Sequence, residues 1–108
     1  MSKIRVVNMR GYKVNTNEQL IKVDRSTIVG NPFYMASEEE RNKVCDMYEI
    51  YFIQQMKTNK AFKKYIMQIC ETVLHVDVAL GCWCAPKRCH AETIKAFVDA
   101  YVKQVSEA

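Results

Sequence analysis

The stretch DVALGCW, from Asp77 to Trp83, decides the fold together with the residues that follow it. After it come the short connection CAPKRCH and a segment with helical periodicity. The stretch is short and apolar after its first residue, which is typical of a strand buried on both faces of a parallel sheet. From about Ala91 a helical spacing follows, carried by Ile94, Phe97, Val98, Tyr101, Val102 and Val105. A strand that leads into a one-faced helix is a building unit of α/β domains.

Segments before this unit supply the other elements. IRVVNM near the amino terminus predicts a second buried strand, and residues 20–23 predict a short edge strand. Ser37 followed by Glu40 forms a capping box, which predicts that a helix begins there. Asn59 is the predicted N-cap of the next helix. We therefore expect an α/β fold: a small Rossmann-like three-layer domain with a short, mainly parallel sheet and about three helices.

Length and composition limit the class of protein. A chain of 108 residues forms one core, so residues 1–108 are expected to be a single domain. The formal net charge of +4 suits a small anionic ligand and does not favour nucleic acid, which usually needs a denser basic stripe. No apolar run is long enough to span a bilayer, and MSKIRVVNMR lacks a signal-peptide pattern, so we expect a cytoplasmic protein without a membrane partner. Five cysteines in that compartment indicate reduced thiols.

The segment CWCAPKRCH contains residue types that can bind zinc. A C-x-C-x4-C-H order could place four ligands around zinc, and these would be Cys82, Cys84, Cys89 and His90. Structural zinc sites more often use C-x2-C pairs, so we take zinc as the alternative and predict no metal or cofactor. On a continuing strand, Cys82 and Cys84 would lie on one side and Trp83 on the other.

The same segment also offers a nucleophile. Cys89 lies where the last helix begins, and the helix dipole with Lys87 and Arg88 would favour its thiolate. Cys89 and His90 are therefore the candidate catalytic residues. Under the simpler interpretation the thiols only pack and His90 only caps the helix.

Polar residues at the ends of predicted parallel strands point to one ligand-binding edge, because ligands bind at the carboxyl ends of such strands. Arg10 can bind a phosphate with its guanidinium fork. Gly30 allows a close backbone approach, Asn31 can read a base or sugar edge, and Phe33 can stack. The predicted ligand-binding residues are Asn8, Arg10, Arg25, Gly30, Asn31, Phe33, Cys84, Lys87, Arg88, Cys89 and His90, with Arg41 as a weaker candidate.

Four ordered segments, VVNMR, DRSTIVGNPF, EERNKV and LGCWCAPKRCHAETI, together resemble the family called domain of unknown function 4326. The resemblance implies a compact Rossmann-like domain that handles a nucleotide or a related phosphorylated ligand. The family is common in phages and bacteria. A phage origin would imply the cytoplasm of a bacterial host, and a role in nucleotide metabolism or in counter-defence.

Several functions remain open at this point. The first is a protein that binds a small anionic nucleotide-like ligand, and the sequence does not separate an enzyme from a binder. The second is a zinc-stabilised interaction module. The third is a protein- or nucleic-acid-binding module that uses lysines of the second helix, although such runs are usually solvated faces. A homodimer is compatible with a sheet this small, since its edges need cover.

Overall fold

The computed structural model describes residues 3–107 and gives the chain three strands and three α-helices. In chain order the elements are β1 (Ile4–Asn8), β2 (Glu18–Lys22), a 3₁₀ turn (Glu38–Glu40), α1 (Arg41–Thr58), α2 (Lys60–Val73), β3 (Asp77–Cys82) and α3 (Ala91–Glu107). Within the described part of the chain, no helix is both long enough and apolar enough to cross a membrane.

The three strands form one parallel sheet in the order β1-β3-β2. Leu80 in the central strand pairs with Val6 on one side and with Ile21 on the other. This central position explains why β3 is the most continuously apolar strand of the chain. The predicted α/β class, parallel pairing and short edge strand are confirmed, and the edge strand begins two residues earlier than expected, at Glu18.

The core joins one face of the sheet to the helices. Val78 and Leu80 lie in one apolar cluster with residues of all three helices, and α2 and α3 contact the strands directly. On the opposite face, β3 contributes the small residues Ala79 and Gly81, and the neighbouring strands contribute Arg5 and Leu20. Over Gly81 lies the side chain of Met9, whose sulfur would be only 2.8 Å from an added Cβ. Helices, sheet and this covering segment form the three layers of a small α/β domain.

Of the two predicted helix caps, one is confirmed and the other is wrong. Asn59 Oδ1 accepts a hydrogen bond from the Phe62 N–H at 3.1 Å, so Asn59 caps α2. Ser37 makes no such bond. The Glu40 carboxylate instead accepts from the N–H of Ala36 at 3.1 Å, one residue before the place that a capping box requires. The three glutamates therefore form a 3₁₀ turn, and α1 begins only at Arg41.

Candidate functional site

A cavity of about 350 Å³ opens where the segment after β2, the start of α1 and the connection from β3 to α3 meet. Its volume falls in the range of small-molecule sites, about 300 to 1,000 Å³. The residues that line it are Asp24, Arg25, Ser26, Asn31, Met35, Arg41, Val44, Cys45, Cys82, Trp83, Cys84, Arg88, Cys89 and His90. The cavity therefore lies at the carboxyl edge of the sheet, where α/β proteins place ligands.

Asp24 and Trp83 meet because β2 and β3 are parallel neighbours and end at the same edge. The indole N–H of Trp83 donates to Asp24 Oδ2 at 2.9 Å. Asp24 Oδ1 accepts from the backbone N–H and the hydroxyl of Ser26. The bonds from Ser26, with that from Trp83, lower the pKa of Asp24 against the opposing effect of burial, so the group is a carboxylate at neutral pH.

Gly30 and Asn31 hold the segment after β2 against the rest of the cavity wall. A Cβ on Gly30 would lie 2.4 Å from the carbonyl oxygen of Asp24, so this close approach requires glycine. Asn31 is buried, accepts from the Phe33 N–H at 2.9 Å and donates to the Val44 carbonyl at 3.3 Å. Its amide lines the cavity while it also joins the segment to α1.

Arg41 is the cation most firmly positioned at the cavity. It forms a two-point ion pair with Glu38, at 2.7 and 2.9 Å, and this pair raises the pKa of Arg41 further above its ordinary value. Its Nη1 donates to the carbonyl of Arg88 at 2.9 Å. The guanidinium is thereby fixed next to the peptide that precedes Cys89, and it also contacts the Cys84 thiol.

Arg25 and Arg88 complete the basic lining. Arg25 is exposed and donates through Nη2 to the Phe33 carbonyl at 2.7 Å. Arg88 pairs with Asp46 at 2.8 Å and donates to Asn42, and the contact with Asp46 raises its pKa. Among the described residues, three arginines and one carboxylate, that of Asp24, line the cavity. Arg41 and Arg88 are each ion-paired with an acidic residue outside the lining, whereas Arg25 forms no ion pair within the described part of the chain. The charge of Arg25 and the remaining guanidinium N–H groups suit an anionic ligand.

Trp83 presents an accessible ring at the cavity. The sequence predicted that it would lie on the side opposite Cys82 and Cys84, but β3 ends at Cys82 and strand alternation stops there. Trp83 therefore lines the same cavity as both cysteines. Its indole N–H is held by Asp24 while 58% of the residue stays exposed, so a ring face is available for stacking.

Cys89 and His90 form a hydrogen-bonded pair at the start of α3. His90 Nε2 lies 2.5 Å from the carbonyl oxygen of Val23, and a carbonyl only accepts, so Nε2 carries a proton. The other nitrogen, Nδ1, lies 3.4 Å from Cys89 Sγ. Burial lowers the pKa of His90, which keeps the ring neutral and leaves Nδ1 as an acceptor for the thiol.

Cys82 and Cys89 are in hydrogen-bond contact. This contact raises the pKa of Cys89 and lowers that of Cys82, so Cys82 loses its proton first. Cys89 has a single S–H, which is directed either to Cys82 or to His90 Nδ1. Cys82 Sγ also donates to the Val7 carbonyl at 3.6 Å, whereas Cys89 Sγ accepts from the N–H of Ala91 at 3.4 Å. Both residues are buried and line the cavity.

The geometry does not support the zinc alternative. In residues 3–107 no group of three or more His, Cys, Asp or Glu side chains is placed to hold a metal ion. Both nitrogens of His90 are engaged, with Val23 and with Cys89. The four proposed ligands thus lie close in the chain without forming a tetrahedral set.

The predicted ligand-binding residues divide into two groups. Those that line the cavity are Arg25, Asn31, Cys84, Arg88, Cys89 and His90, together with the weaker candidate Arg41. Those that do not line it are Asn8, Arg10, Gly30, Phe33 and Lys87. The segment after β2 and the β3–α3 connection therefore meet at the cavity, as predicted. The third wall was expected to come from the end of β1, but it comes from the start of α1.

The second group has structural contacts instead. Asn8 donates to the carbonyls of Trp83 and Ala85, which ties the β3–α3 connection to β1. Phe33 packs edge-on against Tyr51, with ring centroids 5.7 Å apart. The Nζ of Lys87 lies 3.5 Å from a Glu38 carboxylate oxygen, and Arg10 is exposed.

Sequence reasoning also missed lining residues. Those given no ligand-binding role were Asp24, Ser26, Met35, Val44, Cys45, Cys82 and Trp83. A signal existed for Asp24, because an aspartate two residues before a serine at the end of a strand is typical of an Asx turn. No local pattern distinguished Val44 or Cys45 from other buried residues of α1.

Comparison with known families gives one match over most of the chain. The model of the family described as "Domain of unknown function (DUF4326)" matches residues 7–100. This range includes the cavity-lining segments from Asp24 to His90. Neither the curated proteins nor the solved structures contain a match.

Proposed function

The chain belongs to the DUF4326 family, and we propose that it binds a nucleotide or a nucleotide-derived phosphorylated ligand in the cavity at the carboxyl edge of its sheet. One observation carries this proposal. Arg25, Arg41 and Arg88 line the same small cavity as the exposed ring of Trp83. A phosphorylated ligand with a flat base needs both kinds of contact.

The arginines suit the phosphate. A guanidinium presents N–H groups in a planar fork that matches the oxygens of a phosphate group. Glu38 takes the Nε–Nη2 fork of Arg41, and the Arg88 carbonyl accepts from Nη1, so the remaining Nη N–H groups of Arg41 are positioned before a ligand arrives. Within residues 3–107, Arg25 has one side-chain hydrogen bond, to the Phe33 carbonyl, and keeps most of its N–H groups for a ligand.

Trp83 suits the base. Stacking of a nucleobase on an aromatic ring contributes about 1–3 kcal/mol. The bond from the indole N–H to Asp24 restricts the ring, which reduces the entropy lost when a base stacks on it. The proposed setting is the cytoplasm, of a bacterial host if the chain is encoded by a phage, where such a protein would act in nucleotide metabolism or in counter-defence.

Tryptophan fluorescence tests the proposal directly, because Trp83 is the sole tryptophan of the chain. We expect a nucleoside monophosphate to change the emission with saturable binding. The uncharged nucleoside and inorganic phosphate should each bind more weakly. Calorimetry on the same panel provides a second measurement. Absence of binding by every member up to millimolar concentration would contradict the proposal.

Two charge variants separate the cavity from the general surface. Arg25→Gln removes a lining cation and should weaken binding roughly tenfold or more, since hydrogen bonds to charged groups contribute about 1.5–3 kcal/mol. Lys87→Gln is the matched control, because Lys87 is a nearby exposed cation outside the lining. Equal effects of the two variants would show that binding depends on net charge and not on this cavity.

A further inference from the structure

The contacts around Cys89 match the arrangement of an activated nucleophile. The thiol lies 3.4 Å from His90 Nδ1, and His90 Nε2 is held by the carbonyl of Val23 at 2.5 Å. A nucleophile, a base within reach and a third group that orients the base make up the usual triad of covalent catalysis. Cys89 and His90 both line the cavity.

The pKa directions define what the base must do. Contact with Cys82, with burial, raises the pKa of Cys89, so its thiol is protonated and must turn from Cys82 to a base at the moment of attack. Burial lowers the pKa of His90 and keeps it neutral, able to take that proton. The N–H of Ala91 donates to Cys89 Sγ and can stabilise charge as it develops there.

Arg41 is bound to the peptide that precedes Cys89. Arg41 Nη1 donates to the carbonyl of Arg88, and that carbonyl belongs to the peptide that joins Arg88 to Cys89. An anionic group held by Arg41 would occupy the cavity that Cys89 also lines. Cys82 contacts Cys89 and the Val7 carbonyl instead of a histidine, and its lowered pKa makes it the competing thiol of the pair.

We propose that Cys89 is a nucleophile for small anionic electrophiles, that His90 is its general base, and that the lining arginines select the anion. In the step, Cys89 Sγ bonds to the electrophilic carbon and the leaving group departs with the electrons of its bond. The thiol proton passes to His90 Nδ1. This inference rests on the proposed function for its anionic subsite and adds covalent chemistry to it.

A pair of alkylating agents tests the nucleophile and its charge preference together. Iodoacetate carries a negative charge and iodoacetamide does not, and both form an S–C bond with release of iodide. We expect iodoacetate to modify Cys89 before the other cysteines. The ratio of the iodoacetate rate to the iodoacetamide rate should be about tenfold higher at Cys89 than at an ordinary thiol, because the arginines attract the negative charge. Peptide mass spectrometry locates each modification.

Cys45 and Cys84 are the internal controls for the base, since both line the same cavity and neither has a histidine partner among the described residues. Glutathione is the control for charge preference, because it is an ordinary thiol in solution. First modification at Cys82, Cys84 or Cys45, or a reagent preference at Cys89 equal to that of glutathione, would overturn the proposal.

The role of His90 needs its own variants. His90→Gln keeps an amide N–H that can reach the Val23 carbonyl but has no basic nitrogen, and it should slow alkylation of Cys89 roughly 100-fold. His90→Ala should be slowed equally and recover with added imidazole. Pyrazole has the same size but is a much weaker base, and it should not restore the rate. Restoration by both rings, or a normal rate in His90→Gln, would show that His90 only fills space.

Binding of the nucleoside monophosphate panel to Cys89→Ala separates this inference from the proposed function. Retained nucleotide binding with no selective reaction at Cys89 in the unmodified chain would overturn the nucleophile and leave the binding function standing. Selective reaction of Cys89 with iodoacetate, without binding of any nucleotide, would overturn the nucleotide proposal and keep the thiol site.

Discussion

Some residues that line the cavity also hold its walls together. Asn31 joins the segment after β2 to α1 through its bond to the Val44 carbonyl, and His90 joins α3 to the same segment through Val23. A substitution at either position would change both the wall and the ligand contact. Residue-scale tests therefore need variants that separate packing from binding.

Gly30→Ala tests the closest backbone contact of the wall. The added Cβ would lie 2.4 Å from the Asp24 carbonyl oxygen, and we expect a loss of about 1–3 kcal/mol or more in the free energy of unfolding. Gly11→Ala is the control, because Gly11 has positive φ but open space around it, and it should lose about 1–2 kcal/mol from backbone strain alone. Chemical denaturation compares the two, and a smaller effect at Gly30 would contradict the packing argument.

At the scale of elements, the helix starts and the sheet rely on specific side-chain contacts. Asn59 caps α2, whereas Ser37 caps nothing. Across the sheet, Arg5 on β1 makes a two-point ion pair with Glu18 on β2, at 2.7 Å for each contact, over the central strand. These contacts tie elements that are distant in the chain.

Asn59→Ala should reduce the free energy of unfolding by about 1 kcal/mol, because the Phe62 N–H loses its acceptor. Ser37→Ala should stay within about 0.5 kcal/mol of the parent chain, as for a surface substitution without a specific contact. Thermal or urea unfolding distinguishes them. A cost at Ser37 equal to that at Asn59 would restore the predicted capping box.

Glu18 should make stability depend on pH in the acid range. The bonds from Arg5, with that from Tyr12, lower its pKa from 4.5 to about 2, and its side chain is only 3% exposed. Because the folded pKa is the lower one, this stabilisation is present above about pH 4.5 and is lost as the pH falls toward 2.

Glu18→Gln should therefore reduce stability at pH 7 and flatten the fall between pH 4.5 and 2. The urea midpoint measured across this range checks the prediction. Glu39→Gln, at an exposed position of the 3₁₀ turn, should leave the profile unchanged. An unaltered acid profile in Glu18→Gln would mean that the ion pair adds nothing to stability.

On the scale of the whole molecule, the parallel sheet brings the ends of β2 and β3 to one edge and sets α3 directly behind them. The sheet is small, yet its central strand is buried and leads straight into the connection that lines the cavity. Ligand binding should therefore stabilise the entire fold, by about 2.7 kcal/mol at a ligand concentration one hundred times Kd.

Metal removal tests the whole-molecule alternative of a zinc-stabilised module. We expect dialysis against a chelator to leave the unfolding midpoint unchanged, because His90 is engaged by Val23 and Cys89 and the thiols form no tetrahedral set. Elemental analysis of the same sample checks for bound zinc. Loss of folding on chelation would restore the zinc hypothesis.

Many candidate site residues could be predicted because they follow strand ends in the chain, as Arg88, Cys89 and His90 do after β3. Arg41 and Cys45 lie on a helix far from those segments, and only the packing of α1 brings them to the cavity. Asn8 and Lys87 were expected to bind ligand, but their contacts lie within the protein, with the Trp83 and Ala85 carbonyls and with Glu38.

The sequence by itself determined the α/β class, the parallel sheet, the cap at Asn59 and the family, because these follow from short-range periodicity and ordered motifs. Only the tertiary structure decided which polar groups face the cavity and which bind other parts of the protein, as Asn8 and Lys87 do. That choice depends on where β3 ends, which turns Trp83 toward Cys82, and on how α1 packs. Both are set by contacts between residues that are distant in the chain, and local patterns do not encode such contacts.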